Sequence, residues 1–191
     1  MSIKAWLANT LQACGRMAGL AELREQVVDA KLLSARILIR QMRQLGPLSR
    51  LADAEFKVFS QFGDDGIIQY LLQQVEIPET SRRFIEFGVQ DYQESNTRFL
   101  MVNDNWRGLI IDGSESNIQK VVSDPLYWRH DLTAVAAFID RDNINDLFSS
   151  NGYSGEIGLL SVDIDGNDYW VWEAIDAVSP RIVSSMRLTS G

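Results

Sequence analysis

The stretch that decides the fold is Phe84-Ile85-Glu86-Phe87-Gly88-Val89, a short apolar run that ends in a glycine. A second run, Leu109-Ile110-Ile111-Asp112, ends in an acid 24 positions after Gly88. Short apolar runs of this kind are typical of strands buried on both faces of a parallel sheet. The two runs therefore predict two strands of a βαβ unit, whose carboxyl ends carry Gly88 and Asp112.

Further apolar runs extend this pattern along the chain. Segments with helical periodicity separate the runs, and this alternation predicts a doubly wound, mostly parallel α/β sheet with helices on both faces. The other expected strands are 158–164, one that opens at 181–183, and one with a poor β pattern near 127–132. The expected helices are 67–75, 97–105, 116–122, 135–148 (with a start that the pattern does not fix) and 169–177.

Residues 1–50 are expected to form one or two amphipathic helices ahead of an α/β domain over 56–191. Apolar residues recur at helical spacing, and Gly46-Pro47 ends the pattern. Residues 31–50 carry five cations and no acid, which suits an anionic membrane, a partner or a solvated helix face. We favour the solvated face, and we expect self-association through these helices. The apolar positions are Leu20, Leu23, Val27, Ala30 and Ile37, and the cations are Lys31, Arg36, Arg40, Arg43 and Arg50.

Charge and composition exclude several classes of function. The formal net charge of −8 and the pI near 4.7 argue against non-specific nucleic-acid binding. One cysteine, Cys14, permits no internal disulfide, and with a single histidine a conventional zinc site is not expected. No apolar run approaches the roughly 20 residues that span a bilayer. We therefore expect a cytoplasmic protein without a transmembrane segment.

Gly88 and Asp112 form the first candidate site, because doubly wound sheets bind ligands beyond the carboxyl ends of their strands. A glycine allows close approach to the backbone, and an acid after the second strand can accept hydrogen bonds from both hydroxyls of a ribose. Each residue alone also has a structural explanation, a turn for Gly88 and a helix N-cap or turn for Asp112. Their order and spacing together favour binding of a nucleoside.

Asp163 and Asp165 form the second candidate site, after the run at 158–164. Strand alternation would place both carboxylates on one side, where they repel each other unless a cation, a proton or a donor-rich ligand separates them. The spacing lacks the terminal glutamate of a helix–loop–helix calcium site, so we expect contact with substrate or cofactor rather than a metal. His130 is a possible general base, although a structural position is the default for a lone histidine.

Five stretches resemble the FkbM-type methyltransferases, in the family's order, over about residues 56–183. The resemblance implies a Rossmann-like class I methyltransferase fold, with S-adenosylmethionine as the methyl donor. It also implies O-methylation of a sugar or secondary-metabolite hydroxyl, as in glycan biosynthesis. The matching stretches are SQFGDDGII at 60–68, FIEFGV at 84–89, ESNT at 94–97, WRGLIIDGS at 106–114 and LSVDIDGNDY at 160–169.

The resemblance also implies which residues carry the activity. Glu86 and Gly88 would line the methionine side of the cofactor, and Asp112 would hold the ribose. Asp131, where the third strand is expected to end, would lie near the adenine, and Asp163 would lie at the mouth where the methyl group is transferred. The full expected cofactor-binding set is Glu86, Phe87, Gly88, Asp112, Gly113, Ser114 and Asp131, and the catalytic set is Asp163 and Asp165.

Two departures from the family bear on function. Gln90 and Tyr92 stand where such turns commonly have glycine, which we expect to narrow the cofactor pocket. The sequence stops soon after the run at 181–183, whereas relatives continue with further strands, so we expect a truncated domain of low stability. Two alternatives to the O-methyltransferase therefore stay open. One is a non-catalytic remnant that binds a nucleoside or a partner chain, and the other is a metal-assisted methyltransferase with Asp163 as a ligand.

Overall fold

A five-stranded, all-parallel sheet with helices packed on it gives this chain a Rossmann-like α/β fold, preceded by a long helix. The computed structural model describes residues 3–163 and 168–185, with side chains over 19–163 and 170–185. The strands are β1 (Arg83–Phe87), β2 (Arg107–Asp112), β3 (Leu132–Ala136), β4 (Gly155–Val162) and β5 (Val178–Ser185). The helices are α1 (Ile3–Leu45), α2 (Asp64–Gln74), α3 (Arg98–Asp104), α4 (Glu115–Ser123), α5 (Pro125–Arg129), α6 (Ile144–Ser150) and α7 (Asp168–Glu173).

The strand order is β3-β2-β1-β4-β5, so β1 lies at the centre of the sheet. Phe84 of β1 pairs with Gly108 of β2 on one side and with Leu159 of β4 on the other. The chain moves outward from β1 through β2 to β3 and then crosses to β4 on the opposite side of β1. The carboxyl ends of β1 and β4 therefore flank the point where the strand order reverses, which is where open α/β sheets bind ligands.

Apolar side chains cover both faces of the sheet, as the apolar runs predicted. Alternate residues of β1 point to opposite faces, so Phe84 packs in one cluster with α2 and α3, and Phe87 packs in another with α6 and α7. The buried residues that make up the two clusters are each at most 7% exposed. The parallel α/β architecture expected from the sequence is confirmed.

The N-terminal region is one helix of 43 residues, and the face that it buries differs from the face expected. Among its described side chains, which begin at Gly19, the core contacts pack against the segment before α2, Tyr70 of α2 and Phe99 of α3. The buried positions are Leu32, Ala35, Ile39 and Met42, whereas the predicted positions Leu20, Leu23, Val27 and Ile37 are between 47% and 62% exposed. In the part of the chain that the structure describes, no helix has the length and apolar composition needed to cross a membrane.

The third strand lies later in the chain than expected. The prediction placed it near 127–132, but β3 begins at Leu132, and 125–129 forms the short helix α5. The helix predicted to start near Val135 begins instead at Ile144, because Val135 belongs to β3. The run Leu-Thr-Ala-Val-Ala suits a helix as well as a strand by composition, and pairing with β2 decides in favour of the strand.

Candidate functional site

The loop after β1 has the backbone of a glycine-rich turn, although only one of the three residues concerned is glycine. Gly88, Gln90 and Tyr92 have φ values of 78°, 50° and 59°. For residues other than glycine this left-handed conformation costs roughly 1–2 kcal/mol, because Cβ approaches the following carbonyl oxygen. Gln90 and Tyr92 therefore adopt a backbone conformation that glycine adopts at lower cost.

Gly88 lies directly against the end of β4. A Cβ atom built on Gly88 would be 1.7 Å from the carbonyl oxygen of Asp163, a distance that no side chain can occupy. The Gly88 N–H donates to the carbonyl of Ile111 in β2, at 3.1 Å. A contact between two strand ends thus accounts for this glycine, whether or not a ligand also approaches it.

Asp112, the last residue of β2, joins the loop after β1 to the start of α4. Its Oδ2 accepts the backbone N–H of Gln90 at 2.8 Å. Its Oδ1 accepts the backbone N–H of Ser114 at 2.9 Å and the side-chain amide of Asn117 at 3.1 Å. A carboxylate has about four acceptor positions, so the chain itself supplies three donors and leaves room for about one more.

Glu86 is buried beside the end of β4, and the chain supplies its hydrogen-bond donors. Its Oε2 accepts the hydroxyls of Ser95 at 2.6 Å and Thr97 at 2.5 Å, together with the Thr97 backbone N–H at 3.2 Å. Its Oε1 accepts the Asn96 backbone N–H at 3.0 Å and the Ser161 hydroxyl at 3.4 Å. The side chain expected to line the methionine end of a cofactor therefore holds the 95–97 segment in place.

The surroundings of Glu86 make its charge costly. Burial raises the pKa of the Glu86 carboxyl, although the donors from 95–97 act in the opposite direction. The Tyr92 hydroxyl is 3.0 Å from the Thr97 hydroxyl, and burial together with the Glu86 charge raises the pKa of Tyr92. The phenol thus stays protonated and serves as a hydrogen-bonding group within the loop.

Asp65 fixes a second loop at the same edge of the sheet, and no separate function was expected for it from the sequence. Its Oδ2 accepts three successive backbone N–H groups, those of Val58 and Phe59 at 2.7 Å and of Ser60 at 2.9 Å. The Ser60 hydroxyl in return accepts the Asp65 N–H at 3.0 Å. The signal available in the sequence was the acid five positions after Ser60, the order of a capping box with a wider spacing.

Arg98, the first residue of α3, is a nearly buried cation between these two loops. It donates to the Tyr92 carbonyl at 2.6 Å and lies 3.7 Å from the Asp124 carboxylate. Its guanidinium carbon is 5.1 Å from the centre of the Phe59 ring and 5.9 Å from that of Tyr92. Arg98 therefore ties the loop after β1 to the segment that Asp65 holds.

The other residues expected near the cofactor differ in what they expose. The Phe87 side chain packs inside the core, so only its backbone faces the loop. Ser114 is the N-cap of α4 and accepts the Asn117 N–H at 3.4 Å. Gly113 is exposed, and a Cβ atom on it would be 3.8 Å from the ring of Phe138, which follows β3 and is 78% exposed. This ring was not identified from the sequence.

Asp131 lies at the amino ends of the strands, so its predicted position at the carboxyl end of the third strand was wrong. It immediately precedes β3 instead of following it, and its carboxylate is 3.5 Å from Arg107, the first residue of β2. His130 adjoins it at the same amino edge, where burial and the nearby Arg129 lower the pKa of its imidazole. Neither residue is near the strand ends that carry Gly88 and Asp112.

Asp163 directly follows β4 and is half-buried, with its carbonyl against Gly88. The second acid of the predicted catalytic pair, Asp165, lies outside the described residues. Among the side chains that the structure describes, 19–163 and 170–185, no group of three or more acidic, histidine or cysteine residues is arranged to hold a metal ion. Of the acids predicted at the site, the structure thus brings Glu86, Asp112 and Asp163 to one edge of the sheet.

Comparisons with known proteins add no relative to this picture, since no protein-family model, curated protein or solved structure matches the chain. Any inference about function therefore rests on the fold and on the geometry of its strand ends.

Proposed function

We propose that the carboxyl edge of the sheet binds the nucleoside part of S-adenosylmethionine, and that the chain methylates a hydroxyl of a sugar or secondary metabolite. One observation carries the binding step, while the methyl-transfer step rests on the resemblance of five stretches to the FkbM-type methyltransferases. The loop after the central strand keeps a left-handed, glycine-like turn and is bonded to an acid, Asp112, at the end of the next strand. This pairing of turn and acid at a strand-order reversal suits a ribose.

The residues around Asp112 fit a nucleoside. The carboxylate has about one acceptor position left for a ribose hydroxyl. The exposed ring of Phe138 beside Gly113 offers an apolar face for a base. The Gln90 side chain is exposed, so it leaves the backbone of the turn open to solvent. A nucleoside would therefore find one acceptor and one aromatic face on neighbouring strand ends.

The chain's own residues are assigned two tasks, positioning the reactants and accepting a proton. The cofactor supplies an electrophilic methyl group, and transfer to an oxygen is a displacement in which positioning contributes much of the rate. Asp163 is the residue at the reversal point that can accept the proton of an acceptor hydroxyl. Asp165 stays a predicted partner of Asp163 in this function.

A non-catalytic nucleoside-binding protein is the second candidate, and a specific observation favours it. Glu86 and Asp112 already accept hydrogen bonds from the chain, and the ends of β1 and β4 touch at Gly88 and Asp163. Such packing stabilises a loop without requiring a reaction. A metal-assisted methyltransferase with Asp163 as a ligand is the third candidate.

Calorimetric titration with S-adenosylmethionine and S-adenosylhomocysteine tests the binding step. We expect Asp112→Ala to weaken binding by about 1–3 kcal/mol, the effect of removing a charged hydrogen-bond partner. Asp91→Ala is the matched control, because Asp91 lies in the same loop but accepts the N–H of Gln93. Thermal melting of each variant separates a loss of affinity from a loss of folding. If the folded wild-type chain binds neither compound at millimolar concentration, the proposal fails.

Substitution of Asp163 tests the chemical step. With methyl-labelled S-adenosylmethionine and a panel of methyl hexosides, we expect wild type to transfer label and Asp163→Asn to retain cofactor affinity without transfer. Repeating the assay with added magnesium and with a chelator distinguishes the metal-assisted reaction. Binding of the cofactor without transfer to any hydroxyl compound would favour the non-catalytic candidate. Full activity of Asp163→Asn would show that Asp163 is neither the base nor an essential ligand.

A further inference from the structure

Four large apolar residues of α1 lie on one line along the helix, and they pack in none of the core clusters of the described residues. Leu20, Val27, Leu38 and Leu45 are 62%, 47%, 41% and 68% exposed. Their spacings of seven, eleven and seven residues all return to within about 20° of the same direction on an α-helix. The buried face of α1, which contains Leu32, points elsewhere. We call these four residues the exposed line.

A groove of about 280 Å³ runs beside the centre of the exposed line. One wall is formed by 56–58, in the segment before α2, and the other by α1. The residues that α1 contributes are Val27, Ala30, Lys31, Ser34, Ala35 and Leu38. Three of these six have small side chains, so another helix can approach this part of α1 closely.

The groove and the exposed line share one centre of symmetry. Both sets are symmetric about the midpoint between residues 32 and 33, since 20 pairs with 45, 27 with 38, 30 with 35 and 31 with 34. A twofold axis through that midpoint would set Val27 of one copy opposite Leu38 of the other, and Leu20 opposite Leu45. A surface that matches itself about a twofold axis is the defining feature of an isologous dimer interface.

We propose that the exposed line and its groove dock the same surface of a second copy of this chain, with the two α1 helices antiparallel. The charges favour this direction. In an antiparallel pair, Lys31 lies level with Ser34 of the other copy, whereas a parallel pair in register sets Lys31 against the same lysine of the other copy. Like charges in direct opposition destabilise a helix pair, so the antiparallel arrangement is preferred.

The size of the surface is sufficient for a weak dimer. Together with Leu23, which flanks the exposed line and is 55% exposed, it offers five large apolar side chains. Burying them in two copies removes on the order of 1,000 Å² from water, close to the lower limit for a specific interface. We therefore expect dimerisation in the micromolar range, the weak end for interfaces of standard size.

Sedimentation velocity on the full chain tests the proposal. One copy has a mass of 21.6 kDa, and we expect wild type to approach twice that mass as its concentration rises to about 100 μM. Val27→Glu should remain a monomer at that concentration. The matched control is Leu33→Glu, because Leu33 is 60% exposed but lies about 120° around the helix from Val27. The control should dimerise like wild type.

Several outcomes would overturn the proposal. They are a monomeric wild type at about 100 μM, or equal effects of the Val27 and Leu33 substitutions in variants that melt like wild type. Binding of a monomeric chain to phosphatidylserine vesicles that Val27→Glu abolishes would identify a membrane as the occupant instead. The vesicle assay therefore accompanies the sedimentation measurement.

A distance measurement tests the direction of the helices. In a Cys14→Ser background, a spin label on Gln44→Cys marks the exposed end of α1 away from the exposed line. An antiparallel pair centred between 32 and 33 separates the two labels by about 35 Å along the axis, from a rise of about 1.5 Å per residue. A label separation below about 20 Å would show a parallel pair and reject the proposed interface.

Discussion

Replacing Gln90 by glycine should stabilise the protein, which is unusual for a glycine substitution. Gln90 has a φ of 50° and an exposed side chain, and its backbone N–H bonds to Asp112 at 2.8 Å. Glycine keeps that N–H and removes the Cβ atom, whose approach to the following carbonyl oxygen costs roughly 1–2 kcal/mol in this conformation. The substitution therefore relieves strain without removing a packed side chain.

The expected size of the effect depends on two opposing terms. Glycine also gives the unfolded chain more freedom, which costs roughly 0.5–1 kcal/mol on folding. The net change is a stabilisation of about 0.5 kcal/mol. With an m-value of about 2–3 kcal/mol per molar urea, the midpoint of urea unfolding should rise by about 0.2 M. This shift is within the precision of a fluorescence-monitored titration of the five tryptophans.

The matched control is Gln61→Gly, an exposed glutamine in the turn before α2 whose φ lies outside the left-handed region. Here glycine brings only the entropic cost, so the midpoint of unfolding should fall by about 0.2–0.5 M. If Gln90→Gly lowers the midpoint as much as Gln61→Gly does, then the turn after β1 is not strained. Its left-handed shape would then no longer support a ligand-binding role.

Two other substitutions probe the same edge of the sheet. Gly88→Ala should lower the free energy of unfolding by more than about 3 kcal/mol or prevent folding, because the new Cβ atom would meet the Asp163 carbonyl. Gly152 has an equivalent φ of 79° and nothing within 4 Å of an added Cβ atom, so Gly152→Ala should lower the free energy of unfolding by only about 1 kcal/mol. Equal urea midpoints for the two would contradict the close contact. Burial raises the pKa of Glu86, so its contribution to stability is present below the unfolded pKa of about 4.3 and is lost as pH rises through the folded pKa. The unfolding free energy of wild type minus that of Glu86→Gln should therefore fall as pH rises from about 4. A flat difference would show that the donors from 95–97 balance burial, and a rising one that they outweigh it.

Buried strands were the most predictable part of this fold. The runs at 84–89 and 109–112 are apolar because β1 and β2 are covered on both faces, and that pattern is visible in the sequence alone. The strand β3 pairs with a neighbour on one side in the described sheet and is half-exposed, so its composition did not distinguish it from a helix. The error in placing Asp131 results directly from this ambiguity, because a shift of five residues moved the acid to the other edge of the sheet.

The packed face of α1 was not predictable from periodicity. The helix has two apolar stripes, and either has the spacing that burial requires. The structure packs the stripe that contains Leu32 and leaves the stripe that contains Val27 exposed. The choice depends on which residues the rest of the chain presents to the helix, here Tyr70 and Phe99, and this information is distant in sequence.

The hydrogen-bond partners of the acids were also not predictable from the sequence. An acid after a strand has the same sequence pattern whether its donors come from a ligand or from the chain, and here the chain supplies them to Asp65, Glu86 and Asp112. The left-handed backbone at Gln90 and Tyr92 was also not expected from residues other than glycine. Local sequence thus placed Glu86 and Asp112 in the last residues of strands, whereas the folded loops determined which donors these acids bind.

Three buried acids hold the loops of the proposed site in place before a ligand binds. Asp65 holds the turn before α2, Glu86 holds the 95–97 segment, and Asp112 holds the loop after β1, so each loop is formed before any ligand arrives. A ribose would add one bond to Asp112 instead of replacing those that it has. A site organised in this way loses little conformational entropy on binding, because the protein has already lost that entropy on folding. The same arrangement means that loss of Asp112 weakens the loop as well as the ligand contact, so affinity and stability have to be measured on the same variant.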